Sequence, residues 1–213
     1  PLDIRRHLCA LPLAVLLENI AGVRAQLANG GACVTLPMSR LGLTGSSSFD
    51  PGVFHQAIEE HQPDSLILLP QMLAAGTAGV RQANARPRSS LRFVAVGGAA
   101  VGAGLLQAAR AQGIPAYEGY GLSEGASVQT LNLPGQDRPG CAGRPLPHAR
   151  LRVWAVGEIE VAGSLFLGYL GDETRPGEWW PTGDLGSIGA DGFVHGHGRG
   201  RNWLITSFGR TGS

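Results

Sequence analysis

Leu91-Arg92-Phe93-Val94-Ala95-Val96-Gly97-Gly98-Ala99, then the helical run Val101 to Gln112, Gly113 and Ile114-Pro115-Ala116-Tyr117, is the stretch that decides the fold. The first run is a strand ended by glycines, Gly113 stops the helix, and a second strand follows. Strand, crossover helix and strand with short connections make the parallel βαβ unit. Working upstream, Ser65 to Leu69 reads as a buried strand closed by Pro70 and followed by a short helix. Asp50-Pro51 opens a helix to about His61, with Asp as N-cap and Pro at the first position. Gly42 to Ser48 reads as a loop, Cys33 to Leu36 as a β run, and Arg81 to Ser90 as a polar, arginine-rich loop. Leu13, Leu16, Leu17, Ile20, Val23 and Leu27 recur at helical spacing, and Asn29-Gly30-Gly31 ends that helix. His7 to Leu11 is a short apolar run before Pro12.

This alternation predicts an α/β fold, a mostly parallel sheet flanked by helices. Past Glu124 the character changes. Pro134-Gly135, Pro139-Gly140, Gly143, Pro145 and Pro147 punctuate short β runs at Val153 to Val156, Glu158 to Ala162, Thr182 to Ile188 and Phe193 to His197. They read as a small antiparallel or barrel-like β region. The boundary falls near Thr130, giving an α/β part over 1–130 and a β-rich part over 131–200.

The chain has 213 residues, a formal net charge of +1, 43% hydrophobic and 15% charged residues. Such a composition buries a sizeable core in one domain or two small ones and does not read as disordered. Near-neutral charge gives no support for a nucleic-acid or anionic-membrane partner. The most apolar early run, Leu8 to Leu17, stops at Glu18, too short for a transmembrane segment. Cys9, Cys33 and Cys141 are far apart and odd in number, which fits reduced thiols in a cytoplasmic protein better than a disulfide framework or a zinc site. All 17 basic residues are arginine. Arginine does not give up its proton, so this chain supplies no catalytic lysine. It opens at Pro1 without Met and reads as a piece of something longer.

In α/β sheets ligands bind beyond the C-terminal ends of strands. Gly97-Gly98-Ala99 and Tyr117-Glu118-Gly119-Tyr120-Gly121-Leu122-Ser123-Glu124 both lie at such ends. In the second, Gly119 and Gly121 bracket an aromatic in what reads as a turn around a ligand. Tyr120 offers a flat face, Ser123 a hydroxyl and Glu124 a hard oxygen ligand for Mg²⁺. Taken alone, the stretch fits an ordinary strand-to-loop turn equally well. Asp184 in Trp180-Pro181-Thr182-Gly183-Asp184 can accept two hydrogen bonds from a vicinal diol, or form a plain Asx-turn. Arg199 follows Gly198 shortly before the apolar run Trp203-Leu204-Ile205. No Ser-His-Asp or Cys-His arrangement is evident. His195 and His197 share a strand face but lack a third ligand, so they read as solvated or packed. Glu18 sits in the first turns of its helix, where the macrodipole favours an acid. The alternative is that it holds a substrate amine.

In this order and spacing, Gly97-Gly98-Ala99, Tyr120-Gly121-Leu122-Ser123-Glu124, Gly157-Glu158-Ile159 with Gly168-Tyr169, Trp180-Pro181-Thr182-Gly183-Asp184, and Gly198-Arg199 resemble the adenylate-forming, AMP-binding superfamily. The ending from Gly198 to Arg210 is most similar to bacterial long-chain acyl-CoA synthetases. The resemblance implies an AMP-forming acid–thiol ligase acting on ATP, coenzyme A and a carboxylic acid, here a fatty acid, with Mg²⁺. It implies that Gly97, Gly98 and Ala99 lie along the adenine and acyl pocket and that Glu118 faces the adenine amino group. Gly119 and Gly121 flank Tyr120, which stacks on adenine. Ser123 lies near the α-phosphate, and Glu124 is the metal ligand. Asp184 binds both ribose hydroxyls, and Arg199 contacts ribose and phosphate. Asn202 stands where many relatives carry a hinge Asp. A phosphate loop with its Lys before Pro1, and a small C-terminal domain after the hinge start at 201–213, are then expected to be missing. Gly45-Ser46-Ser47-Ser48 only imitates such a loop. The isolated chain is therefore expected to be inactive. An amino-acid adenylation fragment and a non-catalytic nucleotide-binding module are the alternatives.

Overall fold

The computed structural model describes residues 2–45, 48–82, 90–172, 177–199, 204–205 and 211–212. Most of the arginine-rich loop, Ser46, Ser47 and Asn202 lie outside them, as does the side chain of Arg199.

Along the chain, β1 (Arg6–Leu8) leads to a helix whose first part is a π-helix (Glu18–Arg24) and whose end is α1 (Ala25–Ala28). Then come β2 (Ala32–Val34), a 3₁₀ turn (Met38–Leu41), and the hairpin of β3 (Leu43–Thr44) with β4 (Ser48–Phe49). The segment read as a loop is thus partly paired. Next are α2 (Pro51–His61), β5 (Ser65–Leu68), α3 (Pro70–Gln82), β6 (Phe93–Val96), α4 (Ala103–Ala111), β7 (Ala116–Leu122) and β8 (Ser127–Leu131). The second half holds β9 (Arg144–Pro145), β10 (Ala149–Val153), β11 (Glu158–Gly163), β12 (Trp180–Ile188) and β13 (Val194–Arg199), with a short pair, β14 (Leu204–Ile205) and β15 (Thr211–Gly212).

Seven strands form one sheet in the order β2-β1-β5-β6-β7-β8-β9, parallel from β2 to β7 and antiparallel from β7 to β9. This sheet extends past Thr130 to Pro145. Strands β10 to β13 form a second, antiparallel sheet. The α/β architecture with an antiparallel second region is as the residue pattern predicts.

The parallel sheet is covered on both faces, and β5 shows how. All four of its residues are buried. Ser65 meets His7 beneath the first helix, whereas Leu66 and Leu68 line an apolar cavity of about 140 Å³ against α2 and α3. The α2 start is as predicted: the Asp50 carboxylate accepts from the Gly52 and Val53 N–H groups at 2.8 and 3.2 Å.

Three expectations are corrected. The strand at 114–117 begins at Ala116 and runs to Leu122, because β8 gives its second half a partner. The run at 153–156 is instead the end of β10, which pairs with β11 from Ala149; a 3₁₀ turn follows at Ala155–Gly157. The first helix does not bury its leucine stripe. Leu13 and Leu27 are exposed, and the buried line is Glu18, Gly22 and Gln26. A carboxylate fixed to β1 decides the rotation of that helix, as described below.

Candidate active site

Strand β7 carries the Tyr120 motif beyond the parallel sheet. Val96 of β6 pairs with Glu118, so β6 ends there while β7 runs on to Leu122. The overhang pairs with β8, Gly119 opposite Leu131 and Tyr120 opposite Thr130. The motif is therefore strand, where a turn was expected. Neither Gly119 nor Gly121 has positive φ. Their absent side chains are required by β8: a Cβ on Gly121 would lie 2.1 Å from the Ser127 carbonyl oxygen, and one on Gly119 would lie 2.9 Å from Thr130 O. The chain reverses later, through a 3₁₀ turn at Ser123–Gly125. Ala126 (φ 56°) and Ser127 (φ 90°) then take left-handed conformations uncommon for residues with a Cβ.

Two sheets meet at Tyr120. Its hydroxyl donates to Asp184 Oδ2 at 2.7 Å, joining β7 to β12 across 64 positions of sequence. Asp184 is fixed from behind: its N–H donates to Thr182 Oγ1 at 3.1 Å, and that hydroxyl donates to Ile159 O at 2.7 Å. The Gly183 N–H donates to Glu158 Oε1 at 2.9 Å, which ties the Thr-Gly-Asp segment to β11. Arg199 is the Cα partner of Asp184 on β13.

Glu118 is buried beneath the overhang. Its Oε1 accepts from the Val101 N–H at 3.1 Å, and burial pushes its carboxyl pKa up. Its carbonyl accepts from both the N–H and the Nδ2 of Asn132, at 2.9 Å each. Asn132 also donates to Cys141 O and accepts from the Arg138 N–H, so it pins β7 to the following loop. The sequence reading passed over Asn132; a buried amide just past a strand end was its only signal.

At the far end, Glu124 accepts a hydrogen bond from the Tyr169 hydroxyl, and its carbonyl accepts from the Phe166 N–H at 2.8 Å. The bond to Glu124, then burial, pushes the Tyr169 phenol up to about 12. Phe166 packs edge-to-face on Tyr169 and Trp180, with centroids 4.9 and 4.8 Å away. The Gly168-Tyr169 pair thus holds Glu124, a role the sequence did not reveal. Ser123, Gly98 and Ala99 are exposed, and Gly97 is buried against the Gly119 carbonyl.

Residues 3–170 match the family model described as AMP-binding enzyme. The chain belongs to the AMP-binding enzyme family. It is 35% identical over 136 residues to the long-chain-fatty-acid–CoA ligase FadD15 of Mycobacterium bovis, covering 61% of this chain and 23% of that protein. It is 33% identical over 164 residues to the 2-succinylbenzoate–CoA ligase of Bacillus cytotoxicus, covering 69% of this chain and 34% of that one. The anthranilate CoA ligase AuaEII, solved with anthranoyl-AMP, shares its fold at a TM-score of 0.82 and 22% identity, over 95% of this chain and 41% of that one. The chain thus spans about a quarter to a third of the length of these two curated relatives.

The donor set fits the groups this family name implies. A ring on an overhanging strand, an acid bonded to it and a hard carboxylate one 3₁₀ turn away suit a nucleotide and a magnesium ion. The protein also contains a buried Ser–His–Glu chain that the sequence did not reveal. Ser65 Oγ lies 2.9 Å from His7 Nδ1, and His7 Nε2 lies 2.7 Å from Glu18 Oε1. Their exposures are 6%, 3% and 0%, so no substrate reaches the serine. Glu18 Oε2 also accepts from the Leu11 N–H at 2.9 Å. Glu18 stands in the first turn of its helix, as read, and its carboxylate also anchors that helix to β1.

Proposed function

We propose that the protein is part of an AMP-forming ligase that joins a carboxylic acid to coenzyme A through an acyl-adenylate. The observation that carries this reading is the 2.7 Å bond between Tyr120 and Asp184, which brings a ring-stacking candidate and a ribose-binding candidate to one spot. The acid's carboxylate attacks the α-phosphorus of ATP and pyrophosphate leaves. The coenzyme A thiol then attacks the acyl carbon and AMP leaves. Two anions must meet in the first step, so alignment and charge neutralisation matter more than a protein nucleophile.

In this reading Tyr120 stacks on adenine between Gly119 and Gly121, and Glu118 faces the adenine amino group. Gly97, Gly98 and Ala99 form the wall beside it. Asp184 holds the ribose hydroxyls, with Arg199 on the neighbouring strand reaching ribose and phosphate. Ser123 meets the α-phosphate, and Glu124, positioned by Tyr169, would hold Mg²⁺. When bound, that ion supplies positive charge to the phosphates. We place the division of the chain at 1–130, 131–200 and 201–213, the last being the start of a hinge, and the protein in the cytoplasm. Among the described residues no helix is long and apolar enough to cross a membrane.

A medium or long fatty acid is the proposed substrate. Gly97-Gly98-Ala99 offers no partner for an α-ammonium, and Glu18, the one acid considered for that task, is fully buried on His7 and Leu11. An amine would be buried unpaired and rejected. The test is pyrophosphate exchange by the full-length parent with fatty acids, aryl acids and amino acids in competition. Each buried methylene contributes about 0.8 kcal/mol, so preference should rise steeply with fatty chain length until the pocket fills. A flat series with preference for an aryl acid would overturn the fatty-acid assignment. Preference for an amino acid, lost on Glu18→Gln, would overturn the ligase class as well.

A further inference from the structure

We infer that His7, Cys9 and Glu18 form a binding site for a divalent transition-metal ion, zinc above all, buried between β1 and the first helix. One ligand atom from each residue lies within 4.8 Å of the others, and all three residues are buried. Zinc bonds of about 2.0–2.3 Å place tetrahedral ligand atoms about 3.3–3.8 Å apart, so the His7 Nε2–Glu18 Oε1 pair, now 2.7 Å apart, opens and Cys9 Sγ draws in, each by an ångström or less. Nitrogen, sulfur and oxygen is a donor set suited to zinc.

The supports around these ligands are already in place. His7 Nδ1 is held by Ser65 Oγ at 2.9 Å, which fixes the ring and leaves Nε2 aimed at Glu18. Glu18 Oε2 is held by the Leu11 N–H at 2.9 Å, so the carboxylate is oriented as well. Such outer hydrogen bonds set the direction and basicity of metal ligands. Glu18 opens the π-helical segment, and π-turns within helices occur frequently at functional sites. One turn on, Gly22 keeps the space clear: a Cβ there would lie 2.1 Å from Glu18 Oε1 and 2.7 Å from His7 Nε2. Cys33 is the Cα partner of His7 on β2, and its thiol donates to the Val23 carbonyl at 3.8 Å.

Charge favours the ion too. Zinc with one thiolate, one carboxylate and a neutral imidazole sums to zero, which removes the cost of burying Glu18 as an anion. The ion comes between Nε2 and Oε1; the neutral imidazole binds it through Nε2, with its one ring proton on Nδ1 facing Ser65 Oγ, so the ring releases no net proton. Cys9 ligates as the thiolate, so its thiol proton is released to solvent as the ion binds. Affinity therefore rises with pH.

The 213-residue chain, freed of metal with a chelator, is titrated with zinc against a chromophoric chelator, and in parallel with Co²⁺. We expect one equivalent bound, an affinity that rises about tenfold per pH unit between pH 6 and 8 for one released proton, and a thiolate-to-cobalt charge-transfer band. Cys9→Ser and Glu18→Gln should each weaken zinc at least tenfold. No stoichiometric zinc, or cobalt bound without a thiolate band, would leave only a hydrogen-bonded chain and overturn the proposal. The cobalt spectrum of the unaltered chain decides the matter even where a variant fails to fold. None of these readouts depends on ligase activity.

Discussion

Gly121→Ala separates two reasons for the glycine. If it lets the chain close around a nucleotide, alanine should spare the fold and weaken the ligand. The structure argues the reverse. The new Cβ would sit 2.1 Å from Ser127 O, 2.7 Å from Ser127 C and 2.9 Å from Val128 Cα, all backbone atoms of the facing strand. Ordinary contact begins near 3.4 Å, so β8 must retreat by more than an ångström from β7. It must do so where Ala126 and Ser127 are already left-handed. Overpacking alone costs about 1–3 kcal/mol, and displacement of a paired strand puts the value near the top of that range. At roughly 2–4 °C per kcal/mol for a chain this size, the midpoint should fall by about 6–12 °C. Calorimetry of the chain without nucleotide, beside AMP affinity, is the assay. An unchanged midpoint with AMP binding lost would refute the sheet-packing argument and restore the ligand-fit reading.

Tyr169→Phe tests the latch on Glu124. The folded phenol titrates near 12 against an ordinary 10, so its contribution is complete below pH 10 and lost as pH rises toward 12; the variant should lack that part of the alkaline slope in chemical denaturation. In the full-length parent, Glu124→Gln should abolish adenylate formation without lowering the melting temperature, because an amide is a poorer, uncharged magnesium ligand; unchanged magnesium dependence would make Glu124 structural only. Asp50→Ala removes acceptors for two N–H groups at the start of α2 and should cost about 1 kcal/mol in urea unfolding. The 213-residue chain alone, having no lysine, should show no pyrophosphate exchange, and turnover comparable to an intact ligase would show that no lysine is needed.

Features set by local chemistry were legible beforehand. Asp50-Pro51 announces a helix start because cap and ring act within a few residues. Ser65 to Leu69 announces a buried strand because Leu66 to Leu69 is an unbroken apolar run closed by Pro70. Features set by partners were not. Nothing in Ile114 to Tyr117 says that the strand continues to Leu122; that follows from β8, which the chain reaches only after a strained reversal at Ala126 and Ser127. The leucines of the first helix misled because periodicity reports which face is apolar. It does not report that a buried carboxylate on another face binds His7.

The site divides along the same line. Tyr120, Glu124 and Asp184 could be singled out from residue type and order, but their supports could not. Tyr169 lies 45 positions from Glu124, and Asp184 lies 64 from Tyr120. Each support acts on a side chain whose chemistry it leaves unaltered and whose direction it determines. A carboxylate that must hold a cation, or a ring that must lie flat on a base, gains from being fixed before the ligand arrives, since the ordering cost is then met during folding. The hydroxyl of Tyr120 and the hydroxyl of Tyr169 do this for Asp184 and Glu124. Phenylalanine at either position would keep the ring and lose the aim: on the proposed reading the Tyr120 ring would still stack on adenine while Asp184 lost its support, and at position 169 the ring would still pack on Phe166 and Trp180 while Glu124 lost its own.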